Sequence, residues 1–77
     1  MKILLCQTTP TGKVEIARAP DGSFHVLWGG RSIARSPTLT GALKAASRPP
    51  VDLPKDQDAA DWLVSDQPAS WFMSDAA

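Results

Sequence analysis

Phe24-His25-Val26-Leu27-Trp28-Gly29-Gly30-Arg31-Ser32-Ile33-Ala34-Arg35-Ser36-Pro37 is the stretch that decides the fold. A run rich in aromatic and apolar side chains and a second run of alternating character flank a glycine pair, and Gly29-Gly30 admits the two positive backbone angles of a type I′ turn. The stretch reads as a β-hairpin. Just upstream, Val14-Glu15-Ile16-Ala17-Arg18 is a further strand, joined to it through Ala19-Pro20-Asp21-Gly22. There Pro20 presets the second position of a type I turn, and Gly22 takes the left-handed bulge position that often follows. Turn types fix register, so the pairs can be written down. Trp28 falls opposite Arg31 and Val26 opposite Ile33, while Ile16 meets Val26 and Val14 meets Trp28. One face then carries Val14, Ile16, Phe24, Val26, Trp28 and Ile33. The other carries Glu15, Ala17, His25, Leu27, Ser32 and Ala34, a mixture that tolerates water.

Working outward, Ile3-Leu4-Leu5-Cys6 is too short for a helix before the break at Thr8-Thr9-Pro10-Thr11-Gly12, and suits a buried fourth strand. Beyond the hairpin, Ser36 is placed to cap a helix with Pro37 at its first position, where the missing amide proton does no harm. Leu39, Ala42, Leu43 and Ala46 form one apolar stripe, and Pro49-Pro50 ends it. Gly41 inside this segment costs about 1 kcal/mol relative to Ala. Further on, Pro54, Asp56 and Asp58 suit the start of a second short helix near residues 56–65, with Pro68 as its stop and Trp71-Phe72-Met73 as a last apolar cluster. The expected fold is α+β: a three- to four-stranded antiparallel sheet packed against one helix, with a second short C-terminal helix.

With 77 residues the chain has room for a single domain, because a chain of this size buries only about 60% of its unfolded surface. A hydrophobic content of 43% excludes a disordered chain. The apolar run at the N-terminus is shorter than a signal peptide's apolar region or a membrane span, which leads to the expectation of a cytoplasmic protein without a membrane partner. A single cysteine, Cys6, fits a reducing compartment. The net charge of zero conceals two unlike halves: residues 1–48 hold seven cations against two acids, and residues 49–77 six acids against Lys55. The first is a basic sheet-plus-helix module and the second an acidic segment containing Pro and Trp. Such asymmetry points to a charged partner or to pairing within the molecule.

Groups for catalysis are scarce, and the expectation is a protein that is not an enzyme and uses no cofactor or metal. His25 and Cys6 are the only histidine and the only thiol, so a Cys/His nucleophile pair has one possible composition. Asp56, Asp58 and Asp61 superficially follow a calcium loop, but the required glycine is absent and Gln67 stands where a bidentate Glu belongs. No phosphate loop is present, since Gly29-Gly30 precedes a strand rather than a helix.

Two side-chain sets remain. The derived register puts Arg18, Arg31 and Arg35 beside Phe24, Val26 and Trp28. They are either cations at the rim of a core face or, with Lys13 and Lys44, contacts for nucleic-acid phosphates around an aromatic platform. A domain this short cannot spare the apolar residues of its only sheet, which favours the rim. Trp62, Trp71 and Phe72 are in turn either core or interface anchors.

The run from Phe24 to Pro37, followed by Ala42 and Leu43 and by an acidic, Trp-containing tail after Leu53-Pro54, resembles the middle of many short proteobacterial and phage accessory proteins. The likeness covers about half the chain and transfers no catalytic residue. Among small phage proteins of this economy are anti-CRISPR inhibitors, which occupy a surface of a host complex. That resemblance implies a non-enzymatic protein-binding module that sterically blocks a host nucleoprotein complex. Its partner-binding residues would be Asp52, Asp56, Asp58, Asp61, Trp62, Asp66 and Trp71, presented to a basic groove. The alternative is a nucleic-acid-binding sheet using Lys13, Arg18, Arg31, Arg35 and Lys44, and a homodimer is a third arrangement.

Overall fold

Both turns of the central hairpins form with the chemistry their residues dictate. In the computed structural model, which describes residues 1–10, 12–50 and 62–73, Gly29 and Gly30 have φ of 60° and 82°. Gly22 sits at φ 89°, and its N–H donates to the Ala19 carbonyl at 2.9 Å. Strands β1 (Lys2–Thr9), β2 (Gly12–Arg18), β3 (Phe24–Trp28) and β4 (Arg31–Ser36) follow as an antiparallel meander. A fifth strand, β5 (Phe72–Met73), pairs with the outer side of β1, giving the order β4-β3-β2-β1-β5. The described sheet has one strand more than the upper end of the expected three to four, because the two residues of β5 carry no periodicity by which a strand could be recognised.

Register agrees with the sequence reading at Val14↔Trp28, Ile16↔Val26 and Trp28↔Arg31. It departs at Val26, which lies opposite Ala34 rather than Ile33, across an irregularity next to Leu27↔Ser32. Ile33 is the extra residue of a β-bulge, and Ile33 and Ala34 both pack against the core. Every later residue of β4 is thereby moved to the other face, so Arg35 lies opposite His25 instead of joining Arg18.

One helix, α1 (Leu39–Ala46), crosses this sheet. It starts two residues later than Ser36-Pro37 suggests: the cap is Thr38, whose Oγ1 accepts the Gly41 N–H at 3.1 Å. Ser36 instead ends β4, and its Oγ accepts the Thr38 N–H at 3.3 Å. Gly41 has a packing reason, since a Cβ there would collide with the Ser36 hydroxyl. Ala42, Leu43 and Ala46 are buried against Val14, Ile16 and Val26, the small alanines letting helix and sheet approach closely.

Residues 62–65 of the expected second helix are not helical, and residues 56–61 lie outside the described residues. Pro68 opens a single 3-10 turn, Pro68–Ser70, instead of stopping a helix. The segment 62–71 instead closes the core over β1 and β2. Trp62 meets Trp28 edge to face at 5.1 Å between ring centroids, and its indole N–H donates to the Ala46 carbonyl at 2.8 Å. Gln7, on the core face opposite Val14, grips the Ser65 backbone with both ends of its amide. The Ser65 N–H donates to Gln7 Oε1 at 3.1 Å, and Gln7 Nε2 donates to the Ser65 carbonyl at 3.4 Å. Trp71 donates its indole N–H to the same carbonyl at 2.9 Å. Among the described residues no helix is long and apolar enough to cross a membrane.

Candidate interaction surfaces

Three arrangements position the side chains that sequence singles out: the buried tail, the open sheet face and the sheet edge. The tail uses its tryptophans internally. Trp62, Val64 and Trp71 are each 6% exposed, and both indole N–H groups are spent on backbone carbonyls. Neither Trp62 nor Trp71 is therefore presented as an anchor, a correction that follows from burial: a core this thin needs its largest side chains inside. Of the acids placed with them, Asp66 is partly exposed and accepts from Gln67 Nε2 at 3.3 Å. Asp52, Asp56, Asp58 and Asp61 lie outside the described residues.

The cations expected to form one patch are dispersed. Arg18 and Arg31 share the core face but stand at opposite ends of the sheet, beside Phe24 and Trp28. Arg35 is on the open face. Lys13 is there too, 3.9 Å from Glu15, and Lys44 is exposed on α1. The bulge at Ile33 is what separates Arg35 from Arg18 and Arg31, and no turn signal announces it.

The open face carries Ile3, Cys6, Glu15, His25, Leu27 and Ser32 around a fully buried Ala17, all outside the helix-covered layer. Across it runs a hydrogen-bond chain that residue types alone do not reveal. Ser23 donates its hydroxyl to Asp21 Oδ1 at 2.6 Å, His25 Nε2 lies 3.3 Å from Ser23 Oγ, and His25 Nδ1 lies 3.0 Å from Ser32 Oγ. Because the Ser23 proton is already given to Asp21, Nε2 of a neutral His25 must carry the ring proton and Nδ1 must accept from Ser32. The Ser23 hydroxyl and N–H hold the Asp21 carboxyl below its ordinary range, with a smaller contribution from Arg35 and His25. The chain orients its members on the sheet surface. Asp21 and Ser32, at its two ends, are exposed to water.

The edge is different in character. Phe72 and Met73 are 72% and 83% exposed, although they form a strand and follow directly on buried Trp71. Phe72 lies opposite Cys6 and Met73 opposite Leu5, so β5 continues the sheet by two residues and then presents an outer side. Leu63 is also exposed. Among the described residues no group of three or more His, Cys, Asp or Glu is arranged to hold a metal ion.

Among the described residues the fold is α+β, with one helix on a five-stranded antiparallel sheet. No family model, curated protein or solved structure matches the chain significantly.

Proposed function

We propose that the chain is a non-enzymatic protein-binding module that engages its partner through the β5 edge, with Phe72 and Met73 as anchors. The carrying observation is that a chain short of core leaves these two large apolar side chains in water while burying Trp62 and Trp71 next to them. An edge strand offers unpaired backbone groups to another chain, and exposed apolar side chains on it add contact area. The mechanism is occupation of a surface: the partner's strand or apolar patch lies along Phe72 and Met73 and extends onto the open face at Cys6 and Leu27. In its finer form, which rests on the resemblance of residues 24–37, the occupied surface belongs to a host nucleoprotein complex.

The test is affinity capture from host extract with the wild-type chain and with a Phe72→Ser/Met73→Ser variant, after circular dichroism shows equal folding. The reading expects partners retained by the wild type and lost by the variant. Identical partner sets for the two chains overturn it. Sedimentation of both proteins tests the homodimer: self-association removed by the substitutions would make the partner a second copy of the chain.

A further inference from the structure

The end of the sheet farthest from the Gly29-Gly30 turn carries a feature that the β5 reading does not use. β1 and β2 pair with Lys2 directly opposite Arg18, and Arg18 in turn lies opposite Phe24. Directly opposed residues of an antiparallel pair share a face with their Cβ atoms about 5 Å apart, and like charges in that position repel. A chain with as many acids as bases had the means to avoid this. No acid offsets it among the described residues: Glu15 is beside Lys13, and Asp21 is held by Ser23 and feels Arg35 and His25. Asp66 belongs to the tail held at Gln7, near the other end of β1. Lys2 and Arg18 also wall an open cavity of about 350 Å³ with Met1, Ala19 and Pro20, a volume within the roughly 300–1,000 Å³ of small-molecule sites.

We propose that Lys2 and Arg18 form an anion site for a phosphate group, with the Ala19-Pro20 turn as its wall. Phosphate is the chemistry that fits. A guanidinium offers a planar fork of donors to two phosphate oxygens, while an ammonium adds a mobile point charge. A bound dianion converts the cross-strand repulsion into two attractions. Phe24, partly exposed on the neighbouring strand, continues the row from Lys2 and Arg18. Lys2 was outside the set of cations that the sequence suggested, because only the register brings it to Arg18. The site is independent of the β5 edge.

The test uses ¹H–¹⁵N NMR titration of the full chain with inorganic phosphate, alongside melting curves in phosphate-free buffer. Saturable shifts confined to residues 2, 3, 18 and 19 are expected, with affinity falling about tenfold in Lys2→Gln and again in Arg18→Gln, as for loss of one charge-assisted hydrogen bond each. Without phosphate, Lys2→Gln should melt about 2 °C higher than the wild type, since it removes the repulsion. At a given phosphate concentration the wild type should be stabilised more than either single variant. A nucleoside 5′-monophosphate and a ten-residue thymidine oligonucleotide identify the source. Equal affinity for monophosphate and inorganic phosphate points to a small-molecule site, and tighter, steeply salt-dependent oligonucleotide binding points to a nucleic-acid strand. Shifts that do not saturate, or binding unchanged in the Arg18→Gln variant, overturn the proposal.

Discussion

The hairpin β2–β4 and the segment 62–73 both contribute to one core, yet they are held by opposite kinds of information. In the hairpin each strand is placed by the turn beside it: Pro20, Gly22, Gly29 and Gly30 bring Ile16 to Val26 and Val14 to Trp28 through local geometry. In the tail the local contacts are one 3-10 turn and the Trp71 indole on the Ser65 carbonyl, and they do not place the segment on the core. It is held by Trp62 on Ala46, sixteen residues away, and by Ser65 on Gln7, fifty-eight residues away. The lesson is that a small domain can leave a segment without helix or long strand and still make it structural, provided its polar groups find partners.

The comparison breaks most readily at Trp62. Trp62→Ala removes the ring that meets Trp28 and should cost about 3–5 kcal/mol, a large part of the roughly 5–15 kcal/mol that a domain possesses. Urea denaturation checks it, and the expected result is a transition midpoint moved to much lower urea with the slope unchanged. Gln7→Ala comes next. It strands the Ser65 N–H at a partly buried site, so the loss should be about 1–3 kcal/mol, with the Ser65 amide losing its exchange protection.

The contrast also explains what could be read from the residues alone. Turn residues and strand alternation are local signals, and the meander, its two turns and most of its register were legible from them. The bulge at Ile33 was not, because it is favoured by the burial of both Ile33 and Ala34 under α1, a tertiary preference. That one slip moved Arg35 off the expected basic patch. The path of residues 62–65 is hidden from the sequence for the same reason: what fixes it is Gln7, Ala46 and Trp28, all distant in sequence. The sequence leaves Phe72 open between core and anchor, since composition cannot distinguish an inward from an outward apolar side chain. Lys2 acquires meaning only through its cross-strand partner.

A smaller effect distinguishes propensity from packing at the junction of hairpin and helix. Gly41→Ala should gain about 1 kcal/mol in an unencumbered helix. Here the added methyl meets Ser36 Oγ, so the substitution should be destabilising by about 1 kcal/mol. The double variant Ser36→Ala/Gly41→Ala should recover most of the loss, giving a coupling measurable in a double-mutant cycle.

The smallest effect belongs to the exposed cap of the first hairpin turn. Asp21 titrates below its ordinary value of 3.8 in the folded chain, so its ionised form favours folding above that pH. The contribution disappears as pH falls through the lowered folded value. Asp21→Asn should therefore melt slightly below the wild type at pH 6, and the two curves should converge in acid.

The most direct test of the tail as core is hydrogen exchange at the indole N–H groups of Trp62 and Trp71, followed by NMR together with the amides of Val14, Ile16 and Val26. Both indoles donate to backbone carbonyls from buried positions. They should exchange in the same slow class as the hairpin amides and lose protection together with them as denaturant is added. Indole protons that exchange within the dead time while the hairpin remains protected would contradict the account and return the tryptophans to the surface as candidate anchors.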